Sequence, residues 1–171
     1  MLLQTDRLLL REMEEADLDA LRRILQDPEV MYAYAHAFSE EEVQAWFQKQ
    51  RGNYARYGYG LWAVVLSATG EMIGQCGLTP QPWEDRQVTE IGYLLAKAFW
   101  HNGYATEAAI ACKRYAFDVL KEKEVFSIIR DQNLPSQRVA RRNGMQICGR
   151  MVKQYYGMEM PHLIFSVRRE E

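Results

Sequence analysis

Residues 1–171 are predicted to form a single mixed α+β domain, and three observations carry that reading. Apolar residues recur at helical spacing in some segments and as short runs of β-branched and aromatic residues in others. Stop signals, among them Asp27-Pro28, Gly58 with Gly60, and Asn143-Gly144, separate those segments. A chain of 171 residues that is 48% hydrophobic and 26% charged can bury one continuous core, and it holds no linker, internal repeat or low-complexity tract.

Arg7 to Met13 is an apolar-rich run suited to a strand, and Ala16 to Gln26 follows with Leu18, Leu21, Ile24 and Leu25 at helical spacing. Asp27-Pro28 stops that helix. Ser39-Glu40-Glu41-Glu42 then reads as a capping box, in which the Ser39 hydroxyl and the Glu42 carboxylate satisfy free first-turn amides of a second helix running to Tyr57. Leu61 to Leu66 and Met72 to Leu78 flank Ser67-Ala68-Thr69-Gly70-Glu71 as a hairpin. After a polar loop around Pro80 to Arg86, Val88 to Ala96 reads as a further strand leading into Trp100 to Ala108. A helix from Thr106 to Leu120 sets Ala109, Cys112, Ala116 and Leu120 along one side, a small-residue face for close packing on a sheet. Val125 to Arg130 is the next strand. Asn133-Leu134-Pro135-Ser136 starts a helix that Asn143-Gly144 ends, and Ile147 to Gln154 with His162 to Val167 are the closing strands.

The formal net charge of −2 lacks the basic excess that binding through nucleic-acid phosphates needs, so nucleic acid is not expected as a partner. Cys76, Cys112 and Cys148 make neither a disulfide framework nor zinc-site pairs and read as small buried hydrophobes in a reducing compartment. The amino terminus shows no apolar run behind a basic start, and no later run is long enough to span a bilayer. A cytoplasmic protein without membrane contact is expected. His36, His101 and His162 are too dispersed for a metal motif, and no metal is assigned.

Trp100 to Ala108 carries the strongest chemical signal. Gly103 and Ala105, between a strand and a helix, let the backbone approach a ligand while first-turn amides point outward unpaired. Free amides and the helix dipole together favour a phosphate or pyrophosphate, although a plain strand-to-helix connection has the same pattern. Neither a Walker-type phosphate loop nor a Gly-x-Gly-x-x-Gly dinucleotide motif is present.

Glu90-Ile91-Gly92-Tyr93-Leu94-Leu95, Trp100-His101-Asn102-Gly103-Tyr104-Ala105-Thr106-Glu107-Ala108, Asn133-Leu134-Pro135-Ser136 and Asn143-Gly144-Met145, in this order and spacing, resemble the GNAT acetyltransferases. The likeness covers nearly the whole chain. It extends to the branch of the ribosomal-protein N-terminal acetyltransferases (RimJ/RimL-like), which the opening Thr5-Asp6-Arg7-Leu8 and the acidic helix after it also resemble. The resemblance implies a GNAT fold: a mostly antiparallel twisted sheet of about seven strands, splayed between strands four and five and flanked by about four helices. It implies acetyl-coenzyme A as co-substrate, with the backbone of Tyr93, Leu94 and Leu95 pairing with the pantetheine arm. The amides of His101, Asn102, Gly103, Tyr104, Ala105 and Thr106 would hold the pyrophosphate, and Asn133 would contact the cofactor from the other side. Trp100 stands where the family often has Gln or Arg. A homodimer is a further implication.

The implied reaction acetylates a primary amine by direct attack in a ternary complex. An amine attacks only when neutral, yet an aliphatic ammonium has a pKa of about 10, so a base is needed. Glu90 is the candidate, with a solvated carboxylate or a substrate anchor as the other readings; Glu107 is already explained by the helix dipole. Ser136 matches the position at which the branch protonates the departing thiolate, and it also fits helix-start chemistry, with Tyr155 or Tyr156 as other donors. An amide of Leu94 or Leu95 would stabilise the developing oxyanion. Trp46, Trp62, Trp83, Tyr32 and Tyr34 either help shape the acceptor pocket or pack in the core, and Arg138, Arg141 and Arg142 read as a solvated face before a contact to the cofactor's 3′-phosphate. The acceptor stays open between a protein N-terminus and a small amine, polyamine, amino acid or aminoglycoside, and a non-catalytic acyl-coenzyme A module is the alternative of another class.

Overall fold

The computed structural model describes residues 2–171; Met1, the first residue of the predicted domain, lies outside the described residues. The elements, in chain order, are β1 (Leu2–Gln4), β2 (Leu8–Arg11), α1 (Leu18–Leu25), α2 (Glu40–Tyr57), β3 (Leu61–Leu66), β4 (Met72–Trp83) and β5 (Arg86–Leu95). Then come α3 (Tyr104–Asp118), β6 (Glu124–Arg130), α4 (Leu134–Arg142), β7 (Gln146–Tyr155) and β8 (Met158–Arg168). The strands form one sheet in the order β1-β2-β3-β4-β5-β6-β8-β7, antiparallel at every junction except β5 with β6.

The sheet has eight strands where seven were expected. β1, three residues pairing Leu3 with Leu10 of β2, is too short to show alternation in sequence. The predicted splay between strands four and five therefore falls between β5 and β6. The polar loop expected around Pro80 to Arg86 is replaced by five more residues of β4 and a tight turn. Proline is tolerated there for a topological reason. Leu78 N–H bonds Gly60 O on the β3 side, so by strand alternation the nitrogens of Pro80 and Pro82 face that same side, past the last residue of β3 that pairs with β4. Glu84 and Asp85 then close the hairpin with φ of 47° and 58°, the left-handed pair that a two-residue turn between strands requires.

Local signals fix the helices. Ser39 accepts from Glu42 N at 3.2 Å and Glu42 accepts from Ser39 N at 3.0 Å, which is the predicted capping box, and Gly58 ends α2 with a left-handed φ of 78°. α3 ends at Asp118, two residues before the predicted limit. Pro135 sits in the first turn of α4.

Helices cover both faces of the sheet, so β3 reads as the unbroken apolar run Leu61–Leu66. Trp62 and Val64 pack with Leu8, Leu10, Cys76, Ala109, Cys112 and Tyr115 under α3. Ala63 and Val65 pack with Leu21, Ile24, Val43 and Phe47 under α1 and α2. The cysteines divide: Cys76 and Cys112 are buried with their sulfurs 3.7 Å apart, whereas Cys148 is exposed on β7, contrary to the expectation that all three are buried. Among the described residues, no helix is long and apolar enough to cross a membrane.

Gly77 shows how tightly β3 and β4 approach, since a Cβ there would overlap the Gly60 carbonyl. Gly77→Ala is expected to lower the unfolding free energy by about 1–3 kcal/mol through overpacking. Gly52→Ala, on the open side of α2, is expected to raise it by about 0.5–1 kcal/mol. Urea titration of the two variants tests the contrast; equal effects would contradict it.

Candidate active site

The loop after β5 is built to present backbone. A single 3₁₀ turn, Lys97–Phe99, leaves the strand, and the Trp100 indole donates to Leu95 O at 3.0 Å. Asn102 Nδ2 donates to Trp100 O at 2.9 Å. His101 and Gly103 both adopt left-handed φ, 64° and 79°, which swings the chain into α3. No side chain among the described residues caps that helix, and its first intrahelical bond runs from Glu107 N to Gly103 O. The amides of Tyr104, Ala105 and Thr106 therefore have no helical partner and point out of the terminus. Glu107 binds Arg7 through both its backbone N, at 3.2 Å, and its Nε, at 2.9 Å. The Arg7 guanidinium covers the Tyr104 ring at 4.4 Å. Glu107 is thus a tie between the amino-terminal loop and the start of α3.

β5 and β6 meet at one ladder pair, Glu90 with Phe126, and then part. Side chains satisfy backbone groups at the parting: Ser127 Oγ donates to Ile91 O at 2.8 Å, and Ile128 N donates to Glu90 Oε2 at 2.7 Å. Alternation from Ile91 turns the backbone of Tyr93 and Leu95 into the slot and that of Leu94 toward β4, where Leu94 is registered with Gln75. Leu94 meets the cavity through its side chain. Across the slot, Tyr93 Oη donates to Ser136 O at 2.7 Å. Asn133 Oδ1 caps α4 by accepting from Ser136 N at 3.3 Å and also accepts from Tyr32 Oη at 2.6 Å. The Ser136 hydroxyl takes no partner among the described residues, and Ser136 lines the cavity.

That cavity, about 200 Å³, brings Glu90, Tyr93, Leu94, Asn133 and Ser136 together. His101 to Thr106 stand apart from it, on the loop at the start of α3. The two faces of β5 divide the work. Ile91, Tyr93 and Leu95 belong to the core under α3, while Glu90 and Leu94 point to the α1 and α2 side. On that side stand residues no sequence motif marked: Lys49, Gln75, Lys153 and His162. Gln75 stands within the apolar run Ile73 to Leu78 of its strand and His162 beside the run Leu163 to Phe165, and that polar interruption is the one local signal they leave. Trp46, Tyr34 and Tyr155 line the cavity as well, whereas Trp62 packs on Tyr115 and Trp83 on Phe126. Tyr156 is exposed and donates to Glu42 at 2.6 Å.

Burial pushes the Glu90 carboxyl above its usual range, against the pull of Lys153, the Ile128 amide and Thr79. Burial lowers His162, which is 6% exposed. Its Nδ1 lies 2.7 Å from Met160 O, a group that only accepts, so Nδ1 carries the proton and neutral Nε2 keeps its lone pair.

A split sheet whose slot opens beside an uncapped, amide-lined helix start is the architecture of an acyltransferase that holds a long phosphorylated cofactor. Residues 7–146 match the acetyltransferase (GNAT) domain, and the chain belongs to that family. It is an acetyl-coenzyme A-dependent N-acetyltransferase with the predicted fold. The chain is 40% identical over 144 residues to uncharacterized protein YkkB of Bacillus subtilis (strain 168), covering 84% of each. It is 30% identical to the FsC-acetyl coenzyme A-N(2)-transacetylase of Aspergillus fumigatus, over 99% of this chain and 77% of that one. The ribosomal-protein-S5-alanine acetyltransferase of Vibrio fischeri shares its fold, with a TM-score of 0.79 at 14% identity over 98% and 96% of the two chains.

The raised pKa of Glu90 has a measurable sign. The folded chain holds this proton to higher pH than the unfolded chain does, so the stability it contributes is full below about pH 4.3 and is lost as pH rises through the folded value. The wild type is expected to lose stability relative to Glu90→Gln over that rise, read from urea midpoints at each pH. Parallel curves would show that the group is not shifted.

Proposed function

We propose that residues 1–171 act as one cytoplasmic domain that acetylates a primary amine by direct attack in a ternary complex. The observation that carries this reading is the placement of Glu90, at the closed end of the slot and facing the cavity. The uncapped amides of Tyr104, Ala105 and Thr106 fit a pyrophosphate, and the slot-facing backbone of Tyr93 with the Leu95 amide fits a pantetheine arm. Bound acetyl-coenzyme A supplies a thioester carbonyl, and transfer forms one N–C bond as the C–S bond breaks. An ammonium acceptor gives up two protons overall, and the departing sulfur takes one.

Glu90, its proton affinity raised by burial and its carboxyl facing the cavity, is suited to take the first proton. His162 Nε2 is a second candidate on the strength of its tautomer. The amides of Tyr93 and Leu95, rather than that of Leu94, face the place where negative charge develops on the carbonyl oxygen. Ser136, with its unengaged hydroxyl, gives the proton to sulfur, while Tyr93 is held protonated by burial and fixed on Ser136 O. None of the three cysteines lines the cavity, which supports transfer without an acyl-enzyme.

The opening Thr5-Asp6-Arg7-Leu8 supports a place in the ribosomal-protein branch with a protein α-amine as acceptor. A small-molecule amine is the second reading, favoured by the identity with the Aspergillus transacetylase and by the size of the cavity.

Coenzyme A release, measured against small amines, polyamines and peptides with different N-terminal residues, tests the reading. Glu90→Gln is expected to lower kcat about 10²–10³-fold with KM for acetyl-coenzyme A little changed, and Ser136→Ala to lower it less. Unchanged transfer in both variants would remove their assigned roles. Loss of activity in His162→Asn with Glu90→Gln fully active would move the base to His162.

A further inference from the structure

We infer that the acceptor is an amine carrying an anionic oxygen group, a carboxylate before any other, and that Gln75 and Lys153 recognise it. The inference rests on the transfer reading above and deepens it.

Gln75 lies on β4, is 0% exposed, and lines the cavity. The Trp46 indole, which can only donate, bonds Gln75 Oε1 at 3.0 Å. That bond fixes the orientation of the amide and leaves Nε2 as a buried donor with no partner among the described residues. A buried amide hydrogen left unpaired is a standing cost, and such groups persist where a ligand completes them. An oxygen on the acceptor is the complement.

The charge around the cavity selects which oxygen. Lys49, Arg130 and Lys153 line it against one carboxylate, Glu90, whose Oε2 already accepts from the Ile128 amide. His162 is held neutral by burial. Arg130 donates from Nη1 to Tyr32 O at 3.1 Å, while its buried Nε has no partner among the described residues. Lys153, on β7, lines the cavity together with Glu90 and His162. A polycation entering this space meets three cations. A carboxylate-bearing amine meets three cations and an unsatisfied N–H.

The chemistry is shared by a free amino acid and by a peptide N-terminus with an acidic side chain, and matched acceptors distinguish them. With the full chain and acetyl-coenzyme A, coenzyme A release is compared for lysine against cadaverine, arginine against agmatine, aspartate, spermidine, and N-terminal peptides with an acidic or a basic second residue. The carboxylate-bearing partner of each pair is expected to show at least about tenfold higher kcat/KM. Preference for free amino acids identifies a small-molecule enzyme, and preference for acidic peptides a protein-directed one; both support the inference. Lys153→Met and Gln75→Leu are expected to raise KM for the preferred acceptor about tenfold, with KM for acetyl-coenzyme A unchanged. Gln75→Glu keeps the size and the indole bond and is expected to abolish the carboxylate preference, which covers a Gln75→Leu variant that fails to fold. Spermidine or cadaverine matching the carboxylate-bearing acceptors, or variants with an unaltered ranking, would overturn the inference while leaving acetyl transfer intact. A chain that binds acetyl-coenzyme A and releases thiol with no acceptor would overturn the transfer reading and this inference together.

Discussion

β5 and β6 run parallel for a single ladder pair and then separate, and the rest of the molecule is arranged around that separation. A parted pair of strands leaves two rows of backbone donors and acceptors that need partners. Close to the junction the chain supplies them itself, through Ser127 on Ile91 and Glu90 on the Ile128 amide. Farther along, Tyr93 spans the gap to the first turn of α4, and the Trp100 indole bonds Leu95 O. The Glu90 carboxylate ends the ladder, and because that position is desolvated, the same group has its proton affinity raised where it lines the cavity.

The sheet also partitions the reaction space. Odd-numbered side chains at the end of β5 pack under α3, next to the anion loop, and even-numbered ones point to α1 and α2. A cofactor held by the α3 terminus and an acceptor held beside Trp46 and Gln75 would approach from opposite faces and meet only in the slot. Tyr93, bonded to Ser136 O, ties the two sides of that slot together.

Most of this was readable in the sequence wherever the signal was local. The Ser39 and Glu42 capping box, the stop at Asn143-Gly144 and the glycine loop before α3 each depend on a few adjacent residues, and the structure reproduces them. β1 and the second half of β4 were hidden because their existence depends on distant partners: β1 on β2, and Pro80 with Pro82 on β3 having already ended. The site follows the same rule. Residues of the anion loop and the β5 edge lie in contiguous motifs, whereas Gln75, Lys153 and His162 reach the cavity from three strands and share no spacing. The splayed sheet could be named from family resemblance, but the identity of the group bonding the Ile128 amide could not.

The three sulfurs give the fold an internal contrast. Cys148 stands in solvent on β7, while Cys76 and Cys112 face each other across the junction of β4 and α3, both sealed from water. A thiol reagent meets the first at once and the other two only when α3 lifts from the sheet. The native chain thus carries a clock for the breathing of α3 against the sheet, readable without adding any label to the loop before that helix.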